Sequence, residues 1–219
     1  MAVKVNVGTT SYAMPERVTI DEWQALMTWD VANVKHHPYI IHNLMGIDLE
    51  DLQNADQKSL DLFIGFIVGA INKRTPKHLP DFTQLDFGEF VDLDCFVSLG
   101  TEKYINEMLG ILKVDTVWAD EGLQVIEQYI MWRGTIYKQY AQLFGLDGKE
   151  TEREPDPDFD PKEVSRGWYN VIVELANDDI LKIDQVTSEP LHKTLTFLQI
   201  KKEKVMKEQL ALRKMNKSR

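Results

Sequence analysis

Residues 168–217 read WYNVIVELANDDILKIDQVTSEPLHKTLTFLQIKKEKVMKEQLALRKMNK, and the pattern of this stretch decides the fold class. Trp168, Ile172, Leu175 and Ala176 recur at helical spacing and form one apolar stripe. Asn177-Asp178-Asp179 ends that stripe and starts a short element over residues 180–187. Ser188-Glu189-Pro190 reopens a helix, with proline near its start. Leu191, Leu195 and Leu198 continue at the same spacing, followed by Val205, Met206, Leu210 and Leu212. Past Lys201 apolar residues thin out and lysines take over, so the helix is expected to run beyond the core. A lone helix is marginal in water, so this end is expected to fray alone and order on a partner, or else to stay a solvated tail. The prediction is a mainly α, helical bundle-like protein with a small N-terminal β-hairpin and a protruding basic C-terminal helix.

The totals agree with a globular chain. At 219 residues it can bury one sizeable core or two small ones. Its hydrophobic share of 43% and charged share of 27% are ordinary for soluble domains. The formal charge of −10 opposes general nucleic-acid binding, which needs a concentrated basic surface. Residues 201–219 nevertheless hold eight basic and two acidic side chains, so that tail carries +6 and the rest −16. The tail is where an acidic partner would dock. Cys95 stands alone, which leaves no internal disulfide and fits cytosolic folding. The N-terminus lacks an apolar run of signal length, and the most apolar stretch, residues 60–71, is shorter than a bilayer span and reads as a core helix.

From the start, Val3, Val5 and Val7 alternate with Lys4 and Asn6 as in a half-buried strand. Gly8-Thr9-Thr10-Ser11 reads as a turn, without the lysine and spacing of a phosphate loop, and residues 12–18 as a returning strand. Thr19 and Glu22 fit a capping box ahead of Trp23, Leu26 and Met27. Pro38 opens and Gly46 closes a second helix, residues 47–52 make a short helical turn, and Asp56 caps a helix whose stripe is Leu60, Phe63, Ile64, Ile67, Val68 and Ile71. A break with Pro76 and Pro80 covers residues 75–88, and residues 86–99 fit strand or helix equally. Residues 102–112 and 120–144 read as helices, the second weakened at Gly134. Eight acidic and three basic residues between Asp147 and Glu163, with Pro155, Pro157 and Pro161, make a solvated linker. The chain therefore divides into 1–74 (hairpin plus helices), 75–146 (central helices), 147–163 (acidic linker) and 164–219 (C-terminal helices with the basic tail). No internal repeat is visible.

Few constellations carry chemistry. Asp156, Asp158 and Asp160 have the alternate spacing of a calcium loop, but Pro161 and Gly167 stand where such a loop needs glycine and glutamate. Asp92-Leu93-Asp94 matches a metal-nucleotide pattern and reads better as an exposed loop. His36, His37, His42, His78 and His192 form no zinc motif and read as surface or helix-end residues. No catalytic, cofactor-binding or metal-ligating residue is assigned. Trp23, Trp29, Trp118, Trp132 and Trp168 lie mainly in apolar stripes, as core residues do. Trp168 and Tyr169 are candidates for an interface, since these residue types anchor binding patches. Lys201, Lys202, Lys204, Lys207, Arg213 and Lys214 complete the partner-binding candidates.

The stretch WYNVIVELANDDILKIDQVTSEPLHKTLTFLQIKKEK resembles the C-terminal end of tailed-phage baseplate hub and tail-assembly proteins, the group of T-even-type small hub subunits and assembly factors. The N-terminal hairpin, TIDEWQAL and PYIIHNLMGIDLEDL are similar to the same group, while residues 147–163 match nothing in it. The resemblance rests on hydrophobic and capping positions and implies a non-enzymatic part in building a phage tail. It implies other tail or baseplate proteins as partners, with several copies per particle an option, while the acidic balance and the short apolar stretch argue against direct nucleic-acid and membrane contact. It implies assembly in the host cytoplasm and residence in the virion tail. Alternatives are a transient assembly chaperone that leaves the mature particle, a metal-dependent enzyme without a readable motif, and a nucleic-acid accessory protein acting through the tail.

Overall fold

A computed structural model describes residues 4–7, 10–72, 79–146 and 160–217. In chain order the elements are β1 (Lys4–Val7), β2 (Thr10–Ala13), α1 (Ile20–Leu26), α2 (His37–Met45), α3 (Leu49–Gln53), α4 (Gln57–Asn72), α5 (Phe87–Leu99), α6 (Ile105–Ile111), α7 (Ala119–Gln139), α8 (Ala141–Phe144), α9 (Pro161–Leu175), α10 (Ile183–Thr187) and α11 (Leu191–Lys217). Single turns of 3-10 helix occur at Val34–His36, Phe82–Gln84 and Ile180–Lys182. With 71% of the structure helical, the protein is mainly α, carrying an N-terminal antiparallel hairpin and a long C-terminal helix. Two compact units are present, one made of Met1–Pro80 and Glu102–Glu127, the other of Asp81–Thr101 and Gln128–Arg219. The stretch 75–146, read as one central region from the sequence, supplies segments to both.

In the first unit β1 and β2 pair from Lys4 with Ala13 to Val7 with Thr10. Val5 and Val7 are buried and β1 packs on α4, whereas Lys4 and Asn6 face solvent. The return strand is shorter than residues 12–18 and starts earlier, at Thr10. Pro15 explains the early stop, because it has no N–H to donate to a ladder. Val3, Gly8 and Thr9 lie outside the described residues. Thr19 begins α1 with the expected capping box, its hydroxyl accepting from the Glu22 N–H while the Glu22 carboxylate accepts from the Thr19 N–H. Met27 turns outward instead of joining the buried face of Ile20, Trp23 and Leu26. Pro38 sits in the first turn of α2, and Gly46 closes it at a φ of 64°. Asp56 accepts from the Ser59 N–H at 3.0 Å where α4 begins. The buried stripe of α4 is Leu60, Phe63, Ile64, Ile67 and Ala70; Val68 is exposed.

The second unit starts where the sequence was ambiguous. Residues 87–99 are helical, and Asp86, the extended cap residue, forms a second capping box with Glu89 that satisfies the first free backbone donors of α5. Each unit then ties its capped helix to the start of a long helix by one antiparallel bridge. In the first, Thr19 bridges Trp118 just before α7; in the second, Asp86 bridges Pro190 just before α11. The segments VTIDEWQAL and LDFGEFVDL share the cap, the glutamate three residues on, and the aromatic after it. Phe87, Phe90, Ile136, Tyr140, Trp168, Ile172, Leu191 and Leu195 make the core of this unit.

Several boundaries differ from expectation. The helix expected over residues 120–144 breaks at Tyr140, whose φ of −108° leaves helical geometry. Gly134 lies inside α7 and serves no close approach, since nothing lies within 4 Å of where its Cβ would stand. Asp160 to Glu163, expected in the linker, instead open α9: Asp160 accepts from the Lys162 N–H, and Pro161 takes the first helical position. The rest of the linker, with Pro155, Pro157, Asp156 and Asp158, lies outside the described residues, as do Pro76 and His78.

Candidate functional site

The second unit has a carboxylate at its centre. On α5, Phe87, Phe90, Val91 and Asp94 follow one another at helical spacing along the buried face, so the stripe ends in an acid. Asp94 is 0% exposed. This corrects the exposed-loop reading of Asp92-Leu93-Asp94: the segment is helical, Asp92 faces solvent, and Asp94 points inward.

A buried charge persists only when paired and hydrogen-bonded. Arg133 donates its Nε–H to Asp94 Oδ1 at 2.5 Å, and Tyr137, one turn later on α7, donates its hydroxyl to Oδ1 and Oδ2 at 2.9 and 3.0 Å. Trp168, on α9, donates its indole N–H to Oδ2 at 2.7 Å. The Arg133 guanidinium also lies over the Tyr137 ring at 4.4 Å and donates to its oxygen at 3.1 Å. Burial, reinforced by the charge of Asp94, pushes the Tyr137 phenol well above its usual range. Tyr129 is shifted the same way, and its buried hydroxyl has no hydrogen-bond partner in the structure. The arrangement holds three helices on one carboxylate. A cavity of about 300 Å³ lies beside it, bounded by Tyr137, Leu143, Phe144, Val164, Trp168 and Leu198.

Trp168 is therefore buried within the unit and not displayed on its surface. Only 8% of it is exposed, and it packs edge-on to Phe87 and Phe90 with its N–H bound to Asp94. A buried indole needs such an acceptor, which is the physical reason for its inward position. Tyr169, on the next position of α9, is 59% exposed and remains available. The two aromatics adjacent in sequence thus have opposite fates.

The basic candidates also separate into two sets. Lys201 pairs with Glu174 at 2.6 Å, joining α11 to α9. Lys202 donates to the carbonyls of Gln142 and Leu143 at 2.6 and 3.0 Å, capping the chain end around α8. Both act inside the unit. Lys204, Lys207, Arg213 and Lys214 lie farther along, where every side chain from 204 to 215 is exposed, including Val205, Met206, Leu210, Leu212 and Met215. At the helical rise this exposed stretch is about 18 Å long.

Among the histidines, His37 is buried rather than superficial, with Nε2 at 3.0 Å from the Val31 carbonyl. His42 Nδ1 meets the Ile47 carbonyl at 2.7 Å, and His192 Nδ1 lies 3.0 Å from the Tyr140 hydroxyl. Each is occupied by a local structural contact. Among the described residues no three His, Cys, Asp or Glu side chains form a group able to hold a metal ion, and no helix is long and apolar enough to cross a membrane.

Fold and site together define a mainly α protein with an Asp-centred internal lock and an exposed basic-apolar helix end. No family model, no curated protein and no solved structure matches the chain.

Proposed function

We propose that this chain is a non-enzymatic structural or assembly protein of a phage tail, docking on baseplate or hub neighbours through the exposed end of α11. One observation carries the docking part: residues 204–215 place Val205, Met206, Leu210 and Leu212 in solvent among Lys204, Lys207 and Arg213. Apolar side chains clustered on a helix end that is exposed throughout its length mark a surface that gains by being covered. Covering the exposed half of those four contributes roughly 1 kcal/mol each. The cations steer the encounter toward an acidic neighbour and fix its register. The phage-tail part rests on the resemblance of the C-terminal stretch, TIDEWQAL and PYIIHNLMGIDLEDL to hub and tail-assembly proteins.

The test is truncation after Glu203, which spares the contacts of Lys201 and Lys202. The shortened chain keeps its fold and loses binding to tail or baseplate proteins. Mass spectrometry of purified particles separates a resident subunit, which is present, from a transient chaperone, which is missing. Retention of partner binding by the truncated chain overturns the proposal.

A further inference from the structure

Ile180 and Leu181 are 77% and 88% exposed, the two most exposed large apolar side chains among the described residues. They are not on a loose loop. Asn177 and Asp178 both take left-handed backbone, at φ of 54° and 60°, a conformation that asparagine and aspartate tolerate at a cost. Asp179 then accepts from the Leu181 N–H at 3.1 Å and pairs with Lys182 at 3.1 Å, locking the 3-10 turn Ile180–Lys182. Two strained residues and a cap thus hold an Ile-Leu pair out into water. Within residues 178–184 three acids, Asp178, Asp179 and Asp184, flank the pair against one cation, Lys182, which is bound to Asp179, so the exposed acids Asp178 and Asp184 give the turn a net negative charge beside its apolar pair.

The exposed end of α11 has the opposite composition: Val205, Met206, Leu210 and Leu212 among Lys204, Lys207, Arg213 and Lys214, with Glu208 the one acid of residues 204–215. Both surfaces are exposed in the same chain, so they do not cover each other within one molecule. We infer that the occupant of each is a second copy of this chain, the Ile180–Leu181 turn of one copy docking on the basic end of α11 of the next. Apolar meets apolar and an acidic turn meets a basic helix end, so charge and hydrophobicity are complementary at once. Each copy offers both surfaces, so the contact serves a reciprocal two-fold pair as well as a head-to-tail chain or ring. This inference rests on the reading of α11 as a docking element and adds the identity of a partner.

The experiment measures the mass of the full chain by sedimentation over a concentration series at low and high salt. Two variants accompany it, Ile180→Asp with Leu181→Asp, and Lys207→Glu with Arg213→Glu, all at exposed positions. The wild type grows in mass with concentration, and salt reduces this. Each variant alone associates at least about tenfold more weakly, as expected for loss of a central contact. Mixed one to one, the two variants recover a pair, because each still carries the surface the other lacks. A wild type that stays monomeric, variants that associate like it, or a mixture that does not pair overturns the inference. A monomeric chain whose α11 variant still fails to bind tail proteins overturns this inference while leaving the proposed function standing.

Discussion

Trp168 donates its indole N–H to Asp94 Oδ2 at 2.7 Å, linking two helices whose residues lie 74 positions apart. With Arg133 and Tyr137 on the same carboxylate, this contact makes Asp94 the point on which α5, α7 and α9 converge. Replacing Asp94 with Asn turns one acceptor oxygen into a donor facing donors. Removing one partner of a buried charge pair costs about 3 kcal/mol or more. Urea unfolding of Asp94→Asn should show that loss. The half-buried Cys95 beside it, whose thiol burial pushes up, should become more readily labelled in the variant. A loss under about 1 kcal/mol would remove the central role given to Asp94.

Two glycines of the second unit should respond in opposite directions. A Cβ at Gly88 would stand 2.8 Å from the Thr187 Cβ and 3.2 Å from its carbonyl oxygen, where α5 meets α10. Neither atom can swing away, so Gly88→Ala should destabilise by about 1–3 kcal/mol. Gly134 lies within α7 with open space around it, and Gly134→Ala should stabilise by about 0.5–1 kcal/mol through helix propensity. Thermal melts of both variants check the pair.

Alkaline pH should weaken the fold in a defined direction. Tyr129 and Tyr137 are both held protonated, chiefly by burial, so their folded values lie above the unfolded one, near 10. Above that pH the unfolded chain releases protons that the native state keeps, so stability is full below about pH 10 and falls as pH rises further. Near-ultraviolet absorbance should show these two phenols ionising only with unfolding, and Tyr137→Phe should reduce the slope of stability against pH.

The two capping boxes allow a test of each unit. Thr19→Ala and Asp86→Ala each remove a side-chain acceptor from a helix start and should cost about 1 kcal/mol. Hydrogen exchange should place the first loss in α1 and the second in α5, and equal changes in both helices for either variant would contradict the division into two units.

The parts of this fold that the sequence exposes are those decided within a few residues. Thr19 and Glu22 are three positions apart, so their reciprocal hydrogen bonds can be read directly, and so can Pro38 and Gly46 at the ends of α2. The Asp86–Glu89 box has the same spacing, but the apolar pattern that follows it fits a strand as well as a helix. Asp94 could not be placed locally, because its partners lie 39, 43 and 74 positions away. A signal was nevertheless present: an acid in the final place of the stripe Phe87, Phe90, Val91, with Arg133 and Tyr137 four apart on another helix. The spacing of Trp168 fits surface and core alike, and only its distant acceptor, Asp94, decides between them. Lys201 and Lys202 read as part of a uniform basic tail, whereas Glu174 and the carbonyls of Gln142 and Leu143 bind them into the unit.

The proposed tail role is tested most directly by the incorporation of a chain ending at Glu203 into assembling phage tails, compared with the full chain at equal expression. Residues 204–215 are exposed throughout, so their loss should leave the melting temperature unchanged while incorporation or hub binding falls by at least about tenfold. Equal incorporation of the two chains, with the shortened one folded, would contradict docking through the end of α11.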